Sequence, residues 1–477
     1  MHIIFVHDQP QMLGIEYLSS VMKEIGHTVD VILDTSATGY FDLTLLGKIF
    51  RYREKLIQKI LQGKPDLIAF SASSNNIDWA YGVAKEIKQS VDTPVVFGGI
   101  QATLIPEVVI SKEFIDFVVV GEGEIALPLL VKALKEGGSF DSINNLWFKK
   151  NGIAQANPLG APVMDLDRIP FPDKELLKIN IYRNSFYPII TGRGCIGNCT
   201  YCCASFVRKM YAGNGNFLRR RSPENVIEEL ILAKKKYNIN RVVFEDDLFT
   251  YDKQWLAAFS EAYREKINLP CLLCAHPNYL DAEVVGFLKK IDCRMVEVGV
   301  QSVNEEIRKN TLHRYYTNEN LAQAFKRLNE NGIVCQADNI IGLPGETQED
   351  FVKMLKFYNE IRPGKIDVYF LKYFPKLEII NKSDMAPSRV EEINKGLIPL
   401  THVTMGDGSS RNFKEVNKLI LMVSFLYFFP KKVVDYILRK NMYTWLPSIR
   451  SCHYINEAAF YLASIFNKNW RRVFPAL

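Results

Sequence analysis

Four cysteines fall within nine positions of this 477-residue chain, at Cys195, Cys199, Cys202 and Cys203, and none precedes them. They sit in Gly192-Arg193-Gly194-Cys195-Ile196-Gly197-Asn198-Cys199-Thr200-Tyr201-Cys202. Three thiolates spaced C-x₃-C-x₂-C can wrap one face of a cubane iron–sulfur cluster, one per iron, and leave the fourth iron open. The glycines let the loop curl tightly around such a body. Zinc is the rival for thiolates, but a structural zinc site closes with four ligands, commonly as paired C-x₂-C units. No second pair follows at zinc-ribbon spacing. Neighbouring side chains on an extended loop point apart, so Cys203 is expected to pack, and Cys195, Cys199 and Cys202 to hold a [4Fe–4S] cluster. The remaining cysteines, from Cys271 to Cys452, are scattered. A disulfide framework would spread its cysteines over a small secreted domain, whereas one tight group in a large chain fits a redox centre in a reducing compartment.

Such a loop needs a strand to carry it, and the pattern on either side supplies two strand–helix series. In the first, β-rich runs at His2 to Val6, Thr28 to Leu33, Leu67 to Ser71, Val95 to Phe97 and Phe117 to Val120 alternate with helical stretches. Those stretches are Gly14 to Ile25, Asp78 to Gln89 and Ile125 to Lys135. Short apolar strands between amphipathic helices imply a parallel sheet covered on both faces. Ligands of such sheets bind beyond the carboxyl ends of the strands, here at Gly98-Gly99 and Gly121-Glu122-Gly123-Glu124. The second series has six strands, Tyr187 to Thr191, Arg241 to Glu245, Cys271 to Ala275, Met295 to Val300, Gln336 to Ile341 and Asp367 to Leu371. Helices lie between them, for example Pro223 to Tyr237 with Ser222 as its N-cap. Six βα units fit a partial or closed parallel barrel. The fold class is therefore α/β: a Rossmann-like domain over residues 1–140, a linker over 141–183 containing Asn151-Gly152 and Asn157-Pro158, a (β/α)6 barrel over 184–400, and a helical region over 401–477 that caps the cavity.

The amino terminus lacks a cationic region ahead of a long apolar run, so no signal peptide is expected. The longest apolar run, Leu419 to Phe429, is shorter than the ~20 residues a spanning helix needs. A cytoplasmic protein with no membrane span is expected. The net charge is +6, and its densest basic cluster, Arg219-Arg220-Arg221, reads as a solvated surface or an anion clamp rather than a nucleic-acid face.

With Tyr201 between Cys199 and Cys202, the loop resembles the signature of the radical S-adenosylmethionine (SAM) superfamily, C-x₃-C-x-aromatic-C. The resemblance covers about residues 185 to 375. Phe244-Glu245-Asp246-Asp247 is similar to the acidic end of that family's second barrel strand. Gly299-Val300-Gln301-Ser302 is similar to its fourth-strand motif, where Glu is commoner than Gln301. Ile340-Ile341-Gly342-Leu343-Pro344-Gly345-Glu346-Thr347 is similar to its fifth, and Tyr373-Phe374-Pro375 to its sixth, with Lys376 in place of the usual Gly. The resemblance implies that the open iron chelates SAM and that Tyr201, Asp246, Gln301, Ser302 and Gly342 contact it. Read without the family, Asp246-Asp247 is a solvated turn, Gln301-Ser302 a strand terminus, and His276 a satisfied or surface histidine.

The first series resembles the cobalamin-binding domain joined to one large radical SAM class, which includes anaerobic Mg-protoporphyrin ester cyclases and cobalamin-dependent methyltransferases. The matching stretches are 65–71, Val95 to Thr103 with Gln101 where the family has His, and 116–124. The resemblance implies a cobalamin site lined by Ser73, Ser74, Gly98, Gly99, Gln101, Thr103, Gly121, Glu122, Gly123 and Glu124. No D-x-H-x-x-G occurs, so no protein histidine from that motif would ligate cobalt. The bare alternative is a Rossmann-like domain that has lost its cofactor. The function implied is a methyltransferase that uses SAM both as radical source and, through methylcobalamin, as methyl donor. A small-molecule or peptide substrate and an electron donor such as flavodoxin or ferredoxin complete it. The alternatives are an oxidative cyclase or ring-rearranging enzyme, and a non-catalytic cobalamin or redox sensor. Methylthiotransferases of the superfamily carry further cysteines ahead of the loop, and this chain has none there.

Overall fold

A computed structural model describes residues 1–10, 12–34, 52–177, 186–396, 413–448 and 452–466. The first sheet comprises β1 (His2–His7), β2 (Thr28–Leu33), β3 (Leu67–Ser71), β4 (Val95–Gly98), β5 (Phe117–Val119), β6 (Leu146–Lys150) and β7 (Ile153–Ala156). Its order is β2-β1-β3-β4-β5-β6-β7, with the first five strands parallel. Alternation along β1 divides the core. Ile3 and Phe5 join the buried group that includes Met22, Ala126 and Leu130, while Ile4 and Val6 join the one that includes Ile60, Val83 and Ile87. Both faces are covered by helices, as the unbroken apolar strands require.

Residues 146–156 correct the expectation of a linker beginning at 141. They form an antiparallel hairpin that extends the sheet beyond β5. Asn151 and Gly152 turn it at φ +55° and +77°, the left-handed pair of a tight two-residue hairpin. The signal was present as Asn-Gly, but every residue of β7 is exposed, so no hydrophobic alternation marked the strand.

The second sheet is fully parallel. It uses β8 (Phe186–Ile189), β11 (Arg241–Phe244), β12 (Cys271–Ala275), β13 (Cys293–Gln301), β14 (Val334–Ile341) and β15 (Lys365–Phe370), in the order β15-β14-β13-β12-β11-β8. Its end strands are not paired to each other, so the barrel is partial. The remaining two-residue strands, β9 (Gly192–Arg193) and β10 (Arg219–Arg220), form an antiparallel ribbon at the root of the cysteine loop. Ser222 caps the helix Pro223–Tyr237 by accepting the Asn225 N–H at 3.1 Å.

The two sheets share apolar packing. Ile307, Leu312, Leu343 and Leu371 from the barrel's carboxyl ends belong to the same buried cluster as Ala102, Ile105 and Val109. Lys376, standing at φ +61° where glycine would be unstrained, reaches Glu107 of the first domain at 2.6 Å.

The expectation that the carboxyl-terminal helices cap the cavity is also corrected. The helix Phe413–Phe428 buries Leu419, Ile420, Met422, Val423 and Leu426 in the barrel's outer core. Tyr427 accepts the Ile366 N–H at 2.9 Å and so occupies the free edge of β15, where an unpaired strand would otherwise invite another chain. Glu457, on the helix Cys452–Phe466, approaches Lys365 at the amino end of that strand. No helix among the described residues is long and apolar enough to cross a membrane. Met422 is fully buried, so Met422→Ala should lower unfolding free energy by about 2–5 kcal/mol in chemical denaturation. A change below about 0.5 kcal/mol would contradict this packing.

Candidate functional site

The cysteine loop runs from Ile190 to Cys202 between β8 and the helix Cys203–Met210. Gly194 stands at φ +94°, and a Cβ there would strike the Phe217 carbonyl. At Gly197 an added Cβ would lie 3.3 Å from Cys195 Sγ and 3.5 Å from Cys199 Sγ, so two sulfurs flank the loop position that has no side chain. The Gly197 N–H donates to Cys195 Sγ at 3.3 Å, and the Cys202 N–H to the Cys199 carbonyl at 3.2 Å. Among the described residues no three His, Cys, Asp or Glu side chains converge where one metal ion could sit. A cubane takes each thiolate on its own iron, so the three cysteines need a shared rim rather than a shared centre. Burial pushes the Cys195 thiol up, and that of Cys202 up to about 12. Deprotonation there calls for adjacent positive charge, which a metal cluster supplies. The donor set thus fits a [4Fe–4S] cluster. Cys203 packs against the core shared by both domains.

Two features of this loop were not legible in the sequence. Thr200 Oγ1 donates to the Thr311 carbonyl at 2.6 Å, clipping the loop to the turn after β13. The same turn delivers Arg314, a buried residue whose guanidinium lies 3.6 Å from Cys199 Sγ and 3.5 Å from the Tyr201 hydroxyl and also donates to the Gly299 carbonyl. No motif spacing singles out that arginine.

A cavity of about 380 Å³ opens between the carboxyl ends of the two sheets. The first sheet contributes Phe5, Ser71, Gly98, Gly99 and Gly121, and the second contributes Gly192, Arg193, Gly194, Glu245 and Asp247. The order β2-β1-β3 reverses the winding between β1 and β3, and Phe5 and Ala69 there line the cavity, as the switch-point rule for open sheets requires. Gly99, at φ +88°, turns so close to Ala72 that a Cβ would sit 2.7 Å from its carbonyl oxygen.

The expected cobalamin residues divide into two groups. Gly98, Gly99, Gly121, Glu122, Gly123 and Glu124 all line the cavity. Ser74 and Gln101 are buried and bond each other. Thr103 Oγ1 donates to the Gly99 carbonyl at 2.9 Å and accepts the Gly121 N–H at 3.0 Å, tying two strand-end turns together. Ser73 bonds Asn76. These four support the turns rather than line the cavity. Among the described residues no histidine lines it, and His7 stands 3.1 Å from the Asp8 carboxylate.

Glu122 and Glu124 are already engaged by cations of the barrel. Arg219 donates to both Glu122 oxygens, at 2.5 and 2.9 Å, and Arg193 donates to Glu124 at 2.5 Å. Burial opposes ionisation of Glu122, but the Arg219 hydrogen bonds and the charge of Arg193 hold its carboxyl below the ordinary range.

The expected SAM contacts are rearranged as well. Asp246 is buried and accepts the Thr191 N–H and hydroxyl, the latter at 2.7 Å. Its neighbour Asp247 lines the cavity, where desolvation raises its carboxyl above the usual range. Ser302 is buried, and its hydroxyl accepts the Asn304 N–H at 3.2 Å. The Gly342 N–H donates to Glu346 at 2.6 Å. Gln301, at φ +66° on a register shift of β13, folds back over Gly299. His276 accepts the Asn278 N–H at 3.2 Å, and burial, with the charge of Arg314, pushes it down to about 3.

Further along the inner face of the barrel, Cys274 approaches Glu297 at 3.5 Å, and Lys365 pairs with Asp367 at 2.7 Å. Burial, reinforced by Glu297 and Asp367, pushes Asp338 up to about 7 despite a hydrogen bond from Gln336.

Comparison with known proteins matches the radical SAM superfamily over residues 189–358 and a B12 binding domain over residues 6–131. An uncharacterised methyltransferase of Pyrococcus horikoshii is 31% identical over 355 residues, 73% of each chain. The anaerobic magnesium-protoporphyrin IX monomethyl ester cyclase of Rubrivivax gelatinosus is 27% identical over 395 residues, 76% of this chain and 66% of that one. The fold is shared with the cobalamin-dependent SAM radical enzyme OxsB, at a TM-score of 0.68, 14% identity, and coverage of 99% of this chain and 74% of that one. The root of the cysteine loop and a glycine-lined sheet end thus border one cavity, and the chain belongs to the cobalamin-dependent radical SAM enzymes, whose cofactors are a [4Fe–4S] cluster, SAM and cobalamin.

Proposed function

We propose that the protein is a methyltransferase that moves a methyl group from SAM, by way of cobalamin, to an unreactive carbon or similar centre of a small-molecule or peptide substrate. The observation that carries this reading is the single cavity bordered by Gly98, Gly99 and Gly121 on one side and by Arg193, Gly194 and Asp247 on the other. Bound there, the cluster and SAM supply one-electron bond homolysis, and cobalamin supplies a methyl carrier. Cys195, Cys199 and Cys202 would hold three irons of the cluster and leave the fourth open to the amino and carboxylate groups of SAM. Asp247, which lines the cavity, would hold that amino group, the role the motif alone suggested for Asp246. Arg314 keeps a buried positive charge against Cys199. The glycine turns let a corrin edge approach the backbone, and Phe5, Phe70, Val96 and Leu127 keep water from the floor of the cavity. Among the described residues lining the cavity there is no histidine that would hold cobalt. A flavodoxin- or ferredoxin-type donor supplies the electron, in the cytoplasm and without nucleic acid.

The methyltransferase relative supports methylation. The ester cyclase relative favours a second reading, oxidative cyclisation without methyl transfer. Reduced protein given methyl-deuterated SAM and cell extract separates them. Methylation predicts 5′-deoxyadenosine, S-adenosylhomocysteine and a deuterated methyl group in the product. Deoxyadenosine alone would favour cyclisation, and neither product would leave a non-catalytic sensor.

The two aspartates should separate cleanly. Asp247→Ala should weaken SAM binding tenfold or more by calorimetry, with stability changed by about 0.5 kcal/mol or less. Asp246→Ala should cost about 3 kcal/mol, because the Thr191 N–H and hydroxyl lose their buried acceptor and Arg220 loses a nearby opposite charge. Unchanged SAM affinity in Asp247→Ala would contradict the assignment.

A further inference from the structure

The charge of the protein is concentrated at one end. Residues 401–477 hold 11 of the 59 Lys and Arg and 4 of the 53 Asp and Glu, a net charge of +7 against −1 for the first 400. The described helices in this region expose apolar side chains beside Lys431, Lys432, Arg439 and Lys440. In Lys431–Arg439, Val434 and Leu438 are buried. Lys432, Tyr436 and Lys440 follow at four-residue spacing on the exposed side, with Val433 beside Tyr436. Trp445, in the next turn, is 78% exposed. In Cys452–Phe466, the row Tyr454, Ala458 and Leu462 is exposed, while Phe460 and Ala463 are buried. Phe428 and Phe429 are exposed at the corner between the first two helices.

An ordinary solvated helix face carries charge outward with few large apolar groups. Here Lys stems flank Tyr, Val and Trp, the mixture that settles at a bilayer interface: rings and aliphatic groups at headgroup depth, ammonium groups among the headgroups. Net positive charge selects anionic over zwitterionic lipid. Cations and aromatic rings would also serve an RNA surface, but exposed Val433, Leu462 and Phe429 gain nothing there. We propose that the carboxyl-terminal helices form a peripheral docking surface for an anionic lipid bilayer. None of them spans it, since the longest has 16 residues.

The test is flotation of the full-length, anaerobically reconstituted protein with phosphatidylcholine vesicles, with and without phosphatidylglycerol. The expected result is co-flotation with the anionic vesicles alone, falling steeply as salt is raised. Lys432→Gln with Lys440→Gln should weaken partitioning about fivefold per cation removed. Tyr436→Ser with Trp445→Ser should reduce flotation while leaving the unfolding midpoint in place, because both side chains are exposed. No flotation with anionic vesicles at low salt would overturn the proposal, as would equal flotation of these variants. A solution dimer broken by Tyr436→Ser with Trp445→Ser, without lipid binding, would assign the face to a second copy and overturn it. Preference for polyuridylate over the anionic vesicles would do the same in favour of nucleic acid.

Discussion

Two carboxylates on one turn and two guanidiniums beside the cysteine loop hold this architecture in register. Glu122 and Glu124 follow β5 directly, while Arg193 stands two residues before Cys195 and Arg219 pairs with it across the β9–β10 ribbon. Arg219 is 3% exposed and Glu122 17%, so neither charge has full access to water. Removing one partner from such a pair typically costs about 3–5 kcal/mol, chiefly by leaving the other uncompensated. The clamp therefore sets the glycine turns of the first sheet against the root of the cluster loop. The cavity between them follows from that arrangement, since its walls are the same residues.

Apolar packing reinforces the clamp but does not direct it. The cluster that runs from Ile4 through Ile105 to Leu343 and Leu371 joins the two sheets over a broad area, and burial of that kind is strong but non-directional. Directional contacts then fix the loop within the frame: Thr200 to Thr311, Arg314 to Cys199 and Gly299, and Thr191 to Asp246. All three tie the loop to barrel strands or the turns that follow them. A mobile cysteine loop would present its thiolates at variable separations, and positioning is where much of the rate of a two-cofactor reaction arises.

Much of this was legible in the sequence where backbone geometry was the message. Gly98-Gly99 and Gly121 announced strand-end turns, and the strand rhythm placed the parallel strands of both sheets to within about two residues. Cys195, Cys199 and Cys202 were readable because their chemistry is in their spacing. Side-chain direction was not. At the end of β11, moving by one residue exchanges a cavity-facing carboxylate for an enclosed one, and no pattern distinguishes Asp246 from Asp247. Ser74, Gln101 and Thr103, which the resemblance implied as cobalamin contacts, satisfy each other and the turn backbone. Arg314 was invisible for the opposite reason, since the loop residues it meets, Cys199 and Tyr201, are more than a hundred residues away in sequence.

If cluster and cobalamin adjoin one cavity, their magnetic interaction reports it. Electron paramagnetic resonance should be recorded on protein carrying cob(II)alamin, first with the cluster oxidised and diamagnetic, then with it reduced to a paramagnetic state. The account predicts dipolar broadening of the cob(II)alamin signal in the reduced sample, reversed on reoxidation of the cluster. A cob(II)alamin spectrum identical in both states, with both centres fully loaded, would place them too far apart and contradict it.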